Sequence, residues 1–195
     1  MIKGTKKNIG VLGGTFDPVH KGHLTISRIA IQKLKIQKLF WSITKQNPLK
    51  KLKPLIDEKK RILLCKKIIK KEKKIFILNT KKIKNSQFTH NVISSMRRRI
   101  NVNQKLFFII GADNLINFHK WKNFKKIMSL STLVVMNRPG YKKKALNSFI
   151  GKKFKKFKTN LSYINKNMPK NYQWVFINNR GINISSSKLR INLYK

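Results

Sequence analysis

The chain has 195 residues, 41% of them hydrophobic and 27% charged, which suffices for one domain with a full apolar core. Its 47 Lys+Arg stand against 5 Asp+Glu, a formal charge of +42. A single cysteine excludes an internal disulfide framework, and no apolar run approaches the ~20 residues a membrane span needs.

Cys65 falls in the apolar run Ile62-Leu63-Leu64-Cys65 and reads as a small core residue; a reducing cytoplasm is the expected setting. The short apolar stretch from Ile9 to Leu12 runs straight into a Gly-rich motif, so it reads as a first strand rather than a signal peptide. The positive charge is carried mostly by Lys, spread along the whole chain together with abundant Ile and Asn. That pattern fits an A/T-rich coding sequence better than a dedicated nucleic-acid surface, which favours the Arg fork. Weak, nonspecific binding to polyanions is expected in either case.

In chain order, residues 8–13 read as a buried strand and 22–34 as a helix. Residues 38–43 form a second strand, followed by a polar loop with Asn47-Pro48-Leu49-Lys50. Residues 57–69 have helical spacing, with Ile62, Leu63 and Ile69 roughly on one side. A third strand covers 75–78, a helix 89–100, and a fourth strand 106–110, ending in Gly111-Ala112-Asp113. Residues 115–128 are helical, in one or two pieces. Strands follow at 132–136 and 174–177, separated by a Lys-rich helix and loop over 142–172. Alternating strands and helices predict an α/β fold of Rossmann-like kind, a mainly parallel sheet of five to six strands flanked by helices, in a single domain over 1–195. Ligands of such sheets sit beyond the carboxyl ends of the strands. Gly13-Gly14, Asn47 and Gly111-Ala112-Asp113 all fall on that edge, which points to a nucleotide site.

The strongest motif is Gly13-Gly14-Thr15-Phe16-Asp17-Pro18-Val19-His20-Lys21-Gly22-His23. Gly13 and Gly14 allow a sharp turn off the strand and a close approach to a ligand. Free N–H groups at a helix start near Gly22 favour a phosphate. His20 and His23, three apart, share one side of a helical turn and can donate to phosphate oxygens. Such a pair can also bind a metal, but no third ligand is in view. Asp17, before Pro18, reads as a loop-shaping residue.

A second motif, Ile184-Ser185-Ser186-Ser187-Lys188-Leu189-Arg190, places hydroxyls and a guanidinium at a short helix start. Alone, such a Ser run is either a helix cap or part of a phosphate site.

The first motif resembles the His-x-Gly-His signature of the nucleotidyltransferase superfamily, and the second its Ile-Ser-Ser-Thr-x-Ile-Arg motif, with Ser187 in place of Thr. The chain is too short for a class I aminoacyl-tRNA synthetase and has no Lys-Met-Ser-Lys-Ser-like loop. Phe108 to Leu115, Phe118-His119-Lys120-Trp121, and Asn137-Arg138-Pro139-Gly140-Tyr141 resemble the bacterial nicotinate-mononucleotide adenylyltransferases in particular. Asn47-Pro48-Leu49-Lys50 is similar to that family's Pro-Pro-His-Lys loop. The resemblance runs from about Ile9 to Leu193.

It implies transfer of the adenylyl group of ATP, with Mg2+ on its phosphates, to nicotinate mononucleotide. It also implies His20, His23 and Arg190 as catalytic residues, with Lys50 adding charge. ATP would meet Gly13, Gly14, Thr15, Phe16, Gly22, His23, Gly111, Asp113, Ser185, Ser186, Ser187 and Arg190; Asp113 would hold the ribose or help place the metal. Asn47, Lys50, Thr89, Trp121 and Arg138 would hold the mononucleotide. Trp121 would stack on the pyridine ring; otherwise it is a core aromatic on a helix. His119 reads as an exposed spacer. Phe88-Thr89-His90-Asn91-Val92 departs from the family's Thr-x-Asp-Thr pattern, with Thr89 left to contact the nicotinate carboxylate. Two other readings stand beside this one: another acceptor (nicotinamide mononucleotide or phosphopantetheine), and a nucleic-acid-binding protein without catalysis.

Overall fold

Near-continuous apolar runs form the strands, and helices cover both faces of the sheet they build. The computed structural model describes residues 8–46, 49, 52–179 and 186. β1 (Asn8–Gly14) leads through α1 (Lys21–Lys33) to β2 (Ile36–Ile43), and α2 (Glu58–Ile69) crosses to β3 (Ile75–Ile77). α3 (Thr89–Arg98) precedes β4 (Leu106–Gly111). Then come α4 (Ala112–Ile116), a 3-10 turn over Phe118–Lys120, α5 (Phe124–Leu130) and β5 (Thr132–Met136). α6 (Lys142–Leu146), α7 (Phe149–Lys153), a second 3-10 turn, β6 (Lys158–Thr159) and α8 (Leu161–Lys166) lead to β7 (Trp174–Ile177).

The described strands form one seven-stranded sheet in the order β3-β2-β1-β4-β5-β7-β6. Every pairing is parallel. The strand beyond the expected six is β6, in which only Lys158 and Thr159 pair, with Trp174 and Val175; two residues carry no periodic signal. From β1 the chain moves outward through β2 to β3, then returns to lay β4 on the other side of β1. The carboxyl ends of β1 and β4 therefore flank a switch point, where a parallel sheet opens a crevice.

Side-chain alternation along β4 divides the core. Leu106, Phe108 and Ile110 pack with Val92 and Ile93 of α3, Leu115 of α4 and Ile127 of α5. Phe107 and Ile109 pack on the opposite face with Ala30 of α1, Cys65 and Ile69 of α2 and Ile164 of α8. Cys65 is a core residue, and burial pushes its thiol pKa up to about 12. No helix among the described residues is long and apolar enough to cross a membrane.

The helical segments differ from the sequence expectation in detail, and 142–172 holds the three short helices α6, α7 and α8 besides β6 where one helix and a loop were expected. The buried residues of α2 are Arg61, Cys65 and Ile69, whereas Leu63 is 64% exposed. The helix is turned so that the Arg61 side chain reaches inward to backbone carbonyls, a demand that apolar spacing does not register. The stretch expected as helical over 115–128, in one or two pieces, is divided: α4 ends at Ile116, a 3-10 turn covers Phe118–Lys120, and α5 starts at Phe124. Trp121 is extended and Asn123 left-handed, with φ 55°.

Lys66 and Lys67 in the last turn of α2, and Lys70, Lys71, Lys73 and Lys74 between α2 and the amino end of β3, are all exposed, at the sheet edge away from the crevice. Replacing all six by Gln should leave thermal stability close to wild type, because exposed charges contribute little individually. It should weaken retention on a polyanion column and flatten its salt dependence. Elution at an unchanged salt concentration would show that this cluster plays no part in polyanion binding.

Candidate functional site

Beyond the carboxyl ends of β1, β4 and β5 lies a cleft of about 1060 Å³. It gathers residues that the sequence scatters over most of the chain. Gly13, Gly14, Thr15, Phe16, His20, Gly22 and His23 border it, as do Thr89, Gly111, Asp113, Trp121, Arg138 and Ser186. Asn47, Lys50, Ser185, Ser187 and Arg190 lie outside the described residues. Ser186 joins the two motifs directly, its Oγ donating to the Pro18 carbonyl at 2.9 Å.

The glycines serve the site differently from the expectation. Gly13 and Gly14 are the last residues of β1, and the left-handed turn falls on Phe16, with φ 52°. What the glycines provide is space. A Cβ on Gly13 would stand 3.2 Å from the Phe108 ring, and one on Gly14 3.1 Å from the Phe16 ring. The Phe16 side chain is itself core, 1% exposed and stacked on Trp41 at 5.0 Å. A ligand beside it would meet mainly its backbone.

The two histidines close the amino end of α1. Gly22 N–H donates to His20 Nδ1 at 3.1 Å, and His20 N–H donates to His23 Nδ1 at 3.2 Å. With both Nδ1 atoms accepting, each neutral ring carries its proton on Nε2. The ring centroids are 3.9 Å apart. Burial, then the nearby Arg138 charge, lowers the His20 pKa to about 4. Burial, His20 and Arg138 lower that of His23 to about 3, against a backbone bond to His20 that raises it. Both rings are therefore neutral N–H donors near pH 7. The turn beneath them is held from the core: Trp41 Nε1 donates to Ser27 Oγ at 2.8 Å, and Ser27 Oγ donates to the His23 carbonyl at 2.8 Å.

Asp17 shapes its loop, as its position before Pro18 suggested. Its carboxylate, 1% exposed, accepts from Leu55 and Ile56 N–H at 3.0 and 3.1 Å. Sequence reasoning missed the partner of this arrangement. The Arg61 guanidinium, 2% exposed, donates to the carbonyls of Thr15, Thr44, Lys45 and Ile56 at 2.5 to 3.0 Å. Thr15 follows β1 and Thr44 follows β2, so one side chain ties the loops at two strand ends. Burial lowers the Arg61 pKa, and Asp17 and Glu58 partly offset this.

Arg138, after β5, is paired with Asp113, after β4. A Cβ on Gly111 would stand 2.4 Å from Asp113 Oδ1, so that glycine leaves room for the pair. Trp121 is partly buried against Phe118, ring centroids 5.2 Å apart, and edge-on to Phe108 at 6.1 Å, while also bordering the cleft. The indole belongs both to the core margin and to the cavity wall, on an extended segment and not on a helix. His119 is not an exposed spacer: it is partly buried, with Nδ1 shielded from solvent and its ring 5.1 Å from Phe149. Phe88, Lys120 and Lys122 also border the cleft, unanticipated as site residues. Of the acids there, Asp17 holds backbone and Asp113 holds Arg138, and the described residues include no group of three His, Cys, Asp or Glu that could hold a metal. Neutral imidazole N–H donors, Arg138 and the α1 terminus make the cleft a receptor for anions.

Residues 11–192 match the cytidylyltransferase-like family. A Pelagibacter ubique protein named "Probable nicotinate-nucleotide adenylyltransferase" is 42% identical over 187 residues, 95% of this chain and 93% of the relative. A Clostridium perfringens protein of the same name is 36% identical over 160 residues, 81% of this chain and 78% of the relative. The fold is similar to that of Plasmodium falciparum nicotinic acid mononucleotide adenylyltransferase complexed with NaAD. There the TM-score is 0.68 at 21% identity, covering 95% of this chain and 83% of that one.

Two outcomes follow from the buried groups. Arg61→Met should lower unfolding stability by about 3 kcal/mol, since four carbonyls lose their donor; a denaturation midpoint within error of wild type would refute the clamp. The second concerns His23, whose pKa is about 3 in the folded chain against 6.5 for an unperturbed imidazole. The unfolded chain therefore takes up the proton first as pH falls, so stability present above pH 6.5 is lost on the way to pH 3. The loss should reach roughly 2 kcal/mol at about pH 4, allowing for the part of the ring that faces the cleft. His23→Gln should flatten this dependence, and parallel acid-induced declines in both proteins would contradict the assignment.

Proposed function

Because the chain belongs to the cytidylyltransferase-like family, we propose that it transfers the adenylyl group of ATP to nicotinate mononucleotide, giving the deamido dinucleotide and pyrophosphate. A phosphate oxygen of the mononucleotide forms a bond to the α-phosphorus of ATP. The bond from that phosphorus to the oxygen bridging to the β-phosphate breaks, and pyrophosphate leaves with the electron pair. The attacking group is already an anion, so no general base is needed. Catalysis then consists of positioning and of stabilising charge on the phosphoryl oxygens.

The observation that carries this reading is the pair of neutral imidazoles at the α1 terminus, whose Nδ1 atoms accept backbone N–H groups. Their Nε2–H groups are left as fixed donors, which need no reorganisation when charge grows on a phosphoryl oxygen. We assign His20 and His23 that role, together with Arg190. To ATP we assign Gly13, Gly14, Thr15, Phe16, Gly22, Gly111 and Asp113, which border the cleft, together with the Ser185–Ser187 run. Thr89, Trp121, Arg138, Asn47 and Lys50 serve the acceptor. Magnesium arrives on the ATP phosphates as part of the substrate, which suits a site whose acids are already engaged. A reducing cytoplasm suits the single, buried thiol.

Pyrophosphate release is measured with ATP and, in parallel, nicotinate mononucleotide, nicotinamide mononucleotide and phosphopantetheine. Nicotinate mononucleotide should have the highest kcat/KM. A higher value for either other acceptor reassigns the substrate, and no release with any of them removes the enzymatic reading. In the active pair, His23→Ala should lower kcat by about a hundredfold or more with little change in KM, the size expected for one lost transition-state donor. Wild-type turnover in that variant would end the assignment of His23.

A further inference from the structure

The cleft wall that carries Thr89 touches the wall that carries Trp121 through a cation on an aromatic face. Lys122 Nζ stands 4.6 Å from the centroid of the Phe88 ring. Phe88 lies against the His90 imidazole, with centroids 5.9 Å apart and planes at 27°. His90, only 7% exposed, backs the Phe88 ring from the side of α3. Phe88, Thr89, Trp121 and Lys122 all border the cleft.

This arrangement limits the motion of a residue type that normally roams. A solvated Lys side chain samples many rotamers, and holding it costs entropy. Here an aromatic face offsets that cost and keeps the ammonium beside the cavity. Among the described residues, the acids that border the cleft are engaged elsewhere: Asp17 binds the Leu55 and Ile56 backbone, and Asp113 pairs with Arg138.

We propose that Lys122 is a specificity-determining residue of the acceptor subsite, where its ammonium, held on Phe88, distinguishes a carboxylate from an amide on a pyridine ring lying against Trp121. The inference rests on the reading of the cleft as an adenylyltransferase site. An acid and its amide have nearly the same shape and differ by one unit of charge at one ring edge. The Thr89 hydroxyl can donate to an oxygen of either, so it does not separate them. A fixed cation does, because its attraction acts only on the acid. Lys122 follows directly after the indole, and both residues border the cleft.

The test compares kcat/KM for nicotinate and nicotinamide mononucleotides in wild type, Lys122→Met and Lys122→Arg. The Met side chain keeps the apolar stem against Phe88 and removes only the charge. Lys122→Met should lose about fivefold or more with nicotinate mononucleotide, mainly through KM, as expected for one exposed cation resting on an aromatic face. With the amide it should stay within about twofold of wild type, and Lys122→Arg should keep the wild-type preference. Equal losses with both acceptors, or no loss with either, would overturn the proposal while leaving the adenylyltransferase reading intact. A wild-type protein that turns over neither acceptor would overturn both.

Discussion

The cleft depends on one buried ionic arrangement. Arg61 reaches from α2 to four carbonyls at the ends of the first two strand loops, and Asp17 takes two N–H groups from the loop that leads into α2. Loops carry polar backbone that must find partners when buried. A guanidinium presents several donors in a rigid fork, so one side chain satisfies several carbonyls at fixed angles. The opposite charge of Asp17 lowers the cost of placing that cation in the interior. The result is a rigid rim beneath Thr15 and Thr44, on which the first turn of α1 and its two imidazoles are set.

Above that rim the electrostatics work by selection of protonation state. The amino end of a helix disfavours additional positive charge, and Arg138 acts in the same direction on both rings. The backbone bonds to Nδ1 then leave a single tautomer, with the proton on Nε2. Local packing, helix polarity and the tautomer are three expressions of one structural choice: a histidine stands where helices usually have Ser, Thr, Asp or Asn.

Most of the fold was legible because its elements are strongly patterned. Five of the six expected strands overlap the observed ones almost residue for residue, and β2 begins two residues earlier, at Ile36. The candidate site residues came from motif resemblance, and all those within the described residues border one cleft. What escaped reading arose from long-range contacts. Arg61 looked like one more cation on a Lys-rich helix, since its carbonyl partners Thr15 and Thr44 are remote in sequence. The place of the division at Trp121, where the indole packs against Phe108 and Phe118, is not marked in the local sequence, and the Lys122–Phe88 contact joins segments remote in sequence. Periodicity reports which residues are apolar and at what spacing. It does not report which carbonyl a guanidinium will find.

The charge balance gives the same distinction between global and local causes. A chain with a formal charge of +42 has abundant cations, yet the residues assigned to the reacting phosphate include two neutral rings. The field of exposed Lys is screened over about 8 Å at physiological salt and is nearly the same for an anionic substrate before and during reaction. Such a field draws substrates in and raises encounter rates. It does little for the chemical step, which requires interactions that strengthen as charge develops. Oriented N–H groups in a partly desolvated cleft meet that requirement whether the rest of the surface carries many charges or few. The composition of the surface could therefore drift toward Lys, while the cleft kept donors whose strength comes from position.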